Sequence, residues 1–124
     1  MEARKIRVLV VDHNPLLREG LSLLIQLQPD MELIATAAHA EDAVELFRER
    51  QPDITIMDLD LPLGAGVKAI EQIRRIDANA SVLGLLTYEL DKSGEQALQA
   101  GACGYLPKDR LNQELGPLIR QCLA

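Results

Sequence analysis

Short apolar runs alternate with segments of helical periodicity, and this alternation restricts the fold of the chain more than any other feature. Five runs have the length and composition of buried strands: Ile6–Val11, Met31–Ala37, Asp53–Met57, Val82–Leu86 and Cys103–Leu106. Helical patterns follow them, beginning at Asn14-Pro15 and then covering Ala40–Arg50, Val67–Ile76, Gly94–Ala100 and a last stretch through Leu111 and Cys122. Consecutive parallel strands need crossover helices, so this order predicts an α/β fold with a five-stranded, doubly wound parallel sheet.

The length of 124 residues predicts a single domain over residues 1–124. Apolar residues make up 48% of the chain and aromatic residues 2%, so the core is expected to be aliphatic. The formal net charge of −6 would repel a phosphate backbone, which argues against direct nucleic-acid binding.

Neither the cysteines nor the N-terminus suggests an extracellular or membrane protein. Cys103 and Cys122 do not form a short-spaced metal or redox motif, and we expect two reduced, partly buried thiols. The first apolar run is too short for a signal peptide or a membrane span. The sequence therefore predicts a cytoplasmic protein without a membrane contact.

Pro117 interrupts the last helical pattern. Proline lacks the backbone N–H that an interior helical residue donates, so we expect it in or near the first turn of that helix. This expectation makes the start of the last helix the least defined boundary in the chain.

Most of the residues where the predicted strands end are polar, and open parallel sheets bind ligands at that edge. The residues at these positions are Asp12 and His13, Asp58, Leu86 and Thr87, and Lys108. The sequence therefore predicts that two carboxylates and one ammonium group meet at the carboxyl edge of the sheet.

Two adjacent carboxylates repel each other, and a divalent cation with oxygen ligands, such as Mg²⁺, removes that conflict. A neighbouring lysine suits a phosphoryl oxygen. Together these groups are typical of a site where an aspartate is the nucleophile and an aspartyl phosphate the product. A structural Asp–Lys ion pair at the loop rim is the alternative interpretation.

Three segments carry a family resemblance: residues 6–21 (IRVLVVDHNPLLREGL), residues 52–62 (PDITIMDLDLP) and residues 100–109 (AGACGYLPKD). Together they resemble the receiver domains of response regulators, particularly the NarL/LuxR-type subfamily, and the resemblance covers essentially the whole chain. It implies a flavodoxin-like fold with strand order 2-1-3-4-5.

The resemblance also implies a role for each matching residue. Asp58 would accept phosphate from a histidine kinase, and Asp12 would belong to the acidic pocket that holds Mg²⁺. The backbone carbonyl of Asp60 would be a further metal ligand. Lys108 would contact the phosphoryl group, and Tyr105 would be the aromatic switch whose ring turns inward on activation.

Three positions depart from the family pattern. His13 replaces the second acidic residue, and a neutral imidazole is a poor ligand for a hard cation, so Mg²⁺ binding would be weak or absent. Leu86 falls where a Ser or Thr normally contacts the phosphoryl group; Thr87 could replace it only if the strand end slips by one residue. Ala65 replaces a common Asp and is expected to weaken a helix cap.

Two functions remain open at this point. The first is a phospho-accepting signalling domain, not an enzyme, that controls transcription through a helix-turn-helix DNA-binding domain beyond this chain. The second is a pseudo-receiver that binds proteins independently of phosphate. A homodimer through Tyr105, Leu111 and Leu118 is a further expectation. A nucleotide-binding enzyme is disfavoured, because no glycine-rich phosphate loop follows the first strand.

Overall fold

The computed structural model describes residues 4–88 and 92–124. The strands are β1 (Ile6–Val11), β2 (Met31–Ala37), β3 (Ile54–Asp58), β4 (Ser81–Leu86) and β5 (Gly104–Pro107). The helices are α1 (Pro15–Gln26), α2 (Ala40–Arg50), α3 (Ala65–Ile76), α4 (Ser93–Ala100) and α5 (Leu111–Leu123). None of these helices combines the length and apolar character that a bilayer crossing requires.

The five strands form one parallel sheet in the order β2-β1-β3-β4-β5. This order confirms the predicted flavodoxin-like, doubly wound fold, and every predicted strand lies within one residue of its observed bounds. Asp58 lies opposite Leu85, and Leu86 lies opposite Pro107. Because the strands end at the same level of the sheet, the residues that follow β1, β4 and β5 lie near Asp58.

Alternate residues of each strand fill two separate aliphatic cores, one on either face of the sheet. The core beneath α2, α3 and α4 includes Leu9, Val11, Phe47, Met57, Ile70, Ile73, Val82 and Leu86. The core beneath α1 and α5 includes Val8, Val10, Leu21, Ile25, Ile54, Ile56, Leu83, Leu85 and Ile119. Strands buried on both faces explain why the sequence runs are continuously apolar rather than alternating.

The start of α1 follows its sequence signal. The Asn14 side chain accepts hydrogen bonds from the backbone N–H groups of Leu16 and Leu17, and Pro15 is the first helical residue. The start of α3 has no such cap: Gly64 precedes the helix in a left-handed conformation, and Ala65 is its first residue. The cap position is therefore Gly64 and not Ala65, so the missing side-chain cap does not test the expectation for Ala65.

Pro117 lies inside α5, and the expectation that it would occupy the first turn is wrong. The helix begins at Leu111, directly after a 3-10 turn over Lys108–Arg110. Pro117 is therefore in the second turn, where it cannot donate to the carbonyl of Gln113. Its ring is exposed, and the burial of Leu111, Leu115 and Ile119 holds the helix together around it.

The prediction of two reduced thiols is also wrong in this structure. Cys103, just before β5, and Cys122, near the end of α5, form a disulfide with their Cα atoms 5.7 Å apart. Their separation of 19 residues matches no short motif. Only the packing of α5 against β5 brings the two sulfur atoms together.

Candidate functional site

Three side chains from three strand ends meet at the carboxyl edge of the sheet, as the sequence predicts. The Nζ atom of Lys108, which follows β5, lies 2.9 Å from Oδ1 of Asp58, the last residue of β3. The same Nζ lies 3.2 Å from Oδ2 of Asp12, which follows β1. The strand order explains this meeting, because β3 is flanked by β1 on one side and reached from β5 across β4.

Asp58 is fully buried, and the groups that contact its carboxylate oxygens stabilise the ionised form. Its Oδ1 accepts hydrogen bonds from Lys108 Nζ and from the backbone N–H of Asp60, the latter at 2.8 Å. Its Oδ2 lies 2.5 Å from His13 Nδ1 and accepts the backbone N–H of His13 at 3.3 Å. Burial raises the pKa of Asp58, but the hydrogen bonds from Lys108, His13 and Asp60 outweigh it and hold the pKa below its usual value.

Asp12 is also fully buried, and its two oxygens differ. Oδ1 accepts the backbone N–H of Asn14 at 2.8 Å, which fixes the carboxylate in the turn that leads into α1. Oδ2 has no hydrogen-bond donor among the described residues, although Lys108 Nζ lies near it. A buried carboxylate oxygen without a hydrogen bond costs free energy unless a cation occupies the space beside it.

Lys108 neutralises part of this acidic pocket. Its Nζ also lies 2.9 Å from Oδ2 of Asp60, and only 12% of its side chain is exposed. Burial lowers the pKa of Lys108, but its bonds to Asp58 and Asp60 and the nearby charge of Asp12 raise it above its usual range. Lys108 is therefore a permanent positive charge at the centre of the site.

The Asp60 carboxylate was missed by the sequence analysis, which assigned only the backbone carbonyl of this residue to the site. Its Oδ2 accepts a hydrogen bond from the Thr87 hydroxyl at 2.5 Å, and its Oδ1 accepts the Thr87 backbone N–H at 3.4 Å. Together with its contact to Lys108, Asp60 connects the ends of three strands. The signal in the sequence was a second acidic residue two positions after Asp58, which the structure places in the turn after β3.

Leu86 and Thr87 occupy different environments at the end of β4. Leu86 is fully buried in the core beneath α2, α3 and α4, so its side chain offers the site nothing. Thr87 lies just beyond the strand, is exposed, and turns its hydroxyl toward Asp60 at the rim of the pocket. Of the two predicted candidates, the structure brings only Thr87 to the acidic side chains.

Tyr105 is half-buried on β5, with its ring against α4. A Cβ atom added to Gly94 would lie 2.9 Å from Tyr105 Cε2, so the ring covers this glycine. The first turn of α4 and the tyrosine are therefore in direct contact, and a shift of either one requires the other to move.

The end of β3 packs against the first turn of α3. Gly66 lies so close to the backbone carbonyl of Asp58 that an added Cβ atom would overlap it. Both residues are buried, and no larger side chain fits between the helix and the strand end. The backbone of Asp58 is thus held between Gly66 on one side and the pocket on the other.

The donor set of the pocket fits a divalent cation. Asp12, Asp58 and Asp60 are three carboxylates, and with Lys108 as the single ammonium among them two negative charges are uncompensated. Ligand atoms of Asp12, His13 and Asp58 all lie within 4.8 Å of one another, which makes them the candidate metal-binding group in the described part of the chain. Oδ2 of Asp12 accepts no hydrogen bond from the described residues and has the Lys108 ammonium 3.2 Å away as its counter-charge, so it is a further candidate ligand atom.

Comparison with known proteins agrees with this geometry. The Bacillus subtilis protein named uncharacterized transcriptional regulatory protein YxjL is 35% identical over 97% of this chain and 55% of its own length. A LuxR-family two-component response regulator from Aurantimonas sp. SI85-9A1 is 37% identical, with a TM-score of 0.90 over 96% of this chain and 85% of that one. The signal receiver domain of the putative response regulator NarL from Mycobacterium tuberculosis is 29% identical, with a TM-score of 0.90 over 98% of both chains.

The chain spans about half the length of the curated relatives that it matches. Residues 8–120, from within β1 to within α5, match the family model described as the response regulator receiver domain. Members of this family are signalling modules. Given this match, the strand order and the acidic edge of the sheet, the chain belongs to the response regulator receiver domain family.

Proposed function

We propose that the whole chain is one receiver domain of a cytoplasmic two-component regulator and that Asp58 accepts a phosphoryl group from a histidine kinase. The observation that carries this proposal is the 2.9 Å contact between Lys108 Nζ and Asp58 Oδ1 in a pocket that also holds Asp12. An ammonium group in this position can pair with a phosphoryl oxygen as soon as Asp58 carries one.

In the proposed reaction an Asp58 carboxylate oxygen attacks the phosphorus of a phosphohistidine. The new O–P bond forms as the P–N bond breaks, and the donor imidazole leaves with the bonding electron pair and takes up a proton. The lowered pKa of Asp58 keeps it ionised at neutral pH, as a nucleophile must be. Lys108 then contacts a phosphoryl oxygen in place of the carboxylate oxygen that it binds now.

A divalent cation belongs to this proposal. Asp12, Asp58 and the Asp60 backbone carbonyl would hold it, with His13 beside them. When bound, the cation would neutralise charge on the phosphoryl oxygens during transfer. Mg²⁺ is the ion expected from the carboxylate ligands, and its affinity should be weak because His13 supplies no negative charge.

The burial of Asp58 sets a condition on this function. The residue has no exposed surface, and the half-exposed His13 side chain lies against its Oδ2. We therefore expect that His13 must move away from Oδ2 before a phosphodonor can approach that oxygen. The His13 side chain is 48% exposed, so it can rotate toward solvent without disturbing the core.

The direct test is phosphorylation by acetyl phosphate in the presence of a divalent cation, followed by intact-protein mass spectrometry. We expect the wild-type chain and Asp42→Asn, an exposed carboxylate on α2, to gain one phosphoryl group. Asp58→Asn should gain none. A wild-type chain that stays unmodified at high donor and metal concentrations would contradict the proposal.

The output of this domain would be transcriptional. Curated relatives carry the name transcriptional regulatory protein, and the chain spans about half their length. We therefore propose that a helix-turn-helix DNA-binding domain in the natural protein responds to Asp58, and that the receiver itself does not contact DNA.

We also propose a homodimer, whose contact surface includes Tyr105 and Leu118 but not Leu111. Tyr105 and Leu118 are half-buried and have surface to offer, whereas Leu111 is 6% exposed and packs inside the domain. Sedimentation equilibrium before and after phosphorylation tests this part, and a monomer in both states contradicts it.

The second candidate function is a pseudo-receiver that binds proteins without being phosphorylated. The complete burial of Asp58 beneath His13 favours it. Beryllofluoride with a divalent cation mimics the phosphoryl group and separates the two candidates. Chemical shift changes around residues 58, 87 and 108 support the phospho-accepting receiver, and an unchanged spectrum supports the pseudo-receiver.

A further inference from the structure

We propose that Asp12, His13 and Asp58 form a mixed nitrogen and oxygen metal site that selects a borderline first-row transition ion, such as Co²⁺ or Ni²⁺, over Mg²⁺. The inference deepens the proposed function, since it concerns the cation of the same pocket. It reverses the sequence-based interpretation of His13, which treated the imidazole only as a poor substitute for a carboxylate.

The positions of the three side chains carry the first step. His13 Nδ1 lies 2.5 Å from Asp58 Oδ2 and 3.9 Å from Asp12 Oδ1. Ligand atoms around one ion at about 2.1 Å are separated by about 3 to 4 Å. Small side-chain rotations therefore suffice to place these atoms around one ion, and the half-exposed His13 is free to make the largest of them.

A second observation is independent of the histidine. Asp12 Oδ2 is fully buried and no described residue donates a hydrogen bond to it. The nearest cation, Lys108 Nζ at 3.2 Å, already contacts Asp58 and Asp60. An ion beside Asp12 would satisfy this oxygen, which the protein leaves without a hydrogen bond.

Lys108 and His13 contact different oxygen atoms of Asp58. Lys108 binds Oδ1, and His13 lies against Oδ2. A metal ion between His13, Asp12 and Oδ2 therefore leaves the lysine in place. It also replaces the direct contact between His13 and Asp58, and so draws the imidazole away from the nucleophile.

Ligand chemistry gives the selectivity. Mg²⁺ prefers oxygen ligands and gains little from an imidazole, whereas Co²⁺, Ni²⁺ and Zn²⁺ bind imidazole nitrogen well. A second carboxylate at position 13 would favour Mg²⁺. With histidine there, the same backbone presents one nitrogen and at least two carboxylate groups, a donor set that favours the borderline ions.

The experiment measures the binding of Ni²⁺ and Mg²⁺ by isothermal titration calorimetry to protein without a polyhistidine tag. General affinity for Ni²⁺ exceeds that for Mg²⁺ at most sites, so the dependence on His13 is the informative quantity. We expect His13→Ala to lower Ni²⁺ affinity by about tenfold or more and to leave Mg²⁺ affinity nearly unchanged. In His13→Asp, the ratio of Ni²⁺ affinity to Mg²⁺ affinity should also fall by about tenfold or more.

The chain supplies its own matched control, because His39 is its only other histidine and is exposed before α2. His39→Ala should bind both ions as the wild type does. Electron spin echo spectroscopy of bound Mn²⁺ gives a second measurement: an imidazole nitrogen coupling is expected in the wild type and in His39→Ala, and is expected to be lost in His13→Ala.

Ni²⁺ affinity that is unchanged or increased in His13→Ala would overturn the inference, because His13 would then be a hydrogen-bonded competitor of the metal. The proposed function would survive that outcome if Asp58 is phosphorylated with Mg²⁺. Conversely, His13-dependent Ni²⁺ binding by a chain that no phosphodonor modifies would support the metal site and contradict the proposed function.

Discussion

The carboxylate of Asp60 accepts a hydrogen bond from the hydroxyl of Thr87 at 2.5 Å, and this contact joins the loop after β3 to the end of β4. The other strong contact of Asp60 is with Lys108 Nζ at 2.9 Å. The Thr87 hydroxyl therefore lies at the rim of the pocket and not inside it. To donate a hydrogen bond to a phosphoryl oxygen, the Thr87 hydroxyl must first break its hydrogen bond with Asp60.

Thr87→Val should uncouple the pocket from α4, because the variant keeps the shape of threonine and loses the hydroxyl. We expect beryllofluoride to shift the backbone amide signal of Tyr105 in the wild type and not in Thr87→Val. Thr87→Ser retains the hydroxyl and serves as the control, which should respond like the wild type. Equal responses in all three proteins would mean that Thr87 does not transmit the signal.

The lowered pKa of Asp58 predicts a specific dependence of stability on pH. A carboxyl group with a lower pKa in the folded state stabilises the fold above its unfolded pKa, near 4, and loses that contribution as the pH falls. The part of the unfolding free energy of the wild type that comes from Asp58 should therefore be constant above about pH 4 and should be lost as the pH falls below that value. Asp58→Asn should show a shallower drop in urea titrations over the same range.

Asp30, whose pKa is lowered chiefly by its hydrogen bond with Arg120, titrates in the same direction in both proteins and cancels in the comparison. Identical slopes for the wild type and Asp58→Asn would contradict the assignment of a lowered pKa to Asp58.

The disulfide between Cys103 and Cys122 should make stability depend on redox conditions. The bond closes a loop with a sequence separation of 19 residues, for which chain entropy predicts a stabilisation of about 3 kcal/mol. Urea unfolding with and without a reductant measures this difference. Cys122→Ser should be insensitive to the reductant, and a wild type that is equally insensitive would argue against the bond.

Pro117→Ala should stabilise the protein by about 1 to 3 kcal/mol, because alanine restores a backbone donor in the second turn of α5 and relieves the clash of the proline ring. Pro117 is exposed, so its removal opens no cavity. Pro29→Ala, at an exposed position between α1 and β2, should instead be neutral or slightly destabilising. A destabilised Pro117→Ala would mean that the ring contributes packing that its exposure does not reveal.

Local signals in the sequence were sufficient to predict five parallel strands, and the family resemblance supplied their order in the sheet. The apolar runs that precede Asp12 and Asp58 define β1 and β3. Because the strands are parallel, their carboxyl ends lie at the same edge of the sheet, independently of the exact helix bounds. The meeting of Asp12, Asp58 and Lys108 follows from strand order, so it could be predicted without any knowledge of side-chain conformation.

Features that depend on side-chain direction or on chain length between elements could not be predicted in this way. The family pattern placed Leu86 at the position that contacts the phosphoryl group, but the directions of the side chains at the end of β4 bury Leu86 and turn Thr87 toward Asp60. The contacts of His13 with Asp58 and of Asp60 with Thr87 depend on rotamers that no sequence period encodes.

The two corrections have the same physical origin. Pro117 and the cysteine pair were judged from local propensity and short motifs, whereas the packing of α5 decides both. Burial of Leu115 and Ile119 outweighs the cost of a proline in the helix, and the same packing sets Cys122 beside Cys103.

The absence of a side chain at Gly66 limits the substitutions that the domain can accept in α3. Even a single methyl group there would press on the carbonyl of Asp58 and displace the strand end that presents its carboxylate. Exposed positions of α3 such as Lys68 and Gln72 can accept many residues, but position 66 should tolerate almost none. Random mutagenesis should therefore identify this glycine as a residue essential for signalling, although it has no functional group.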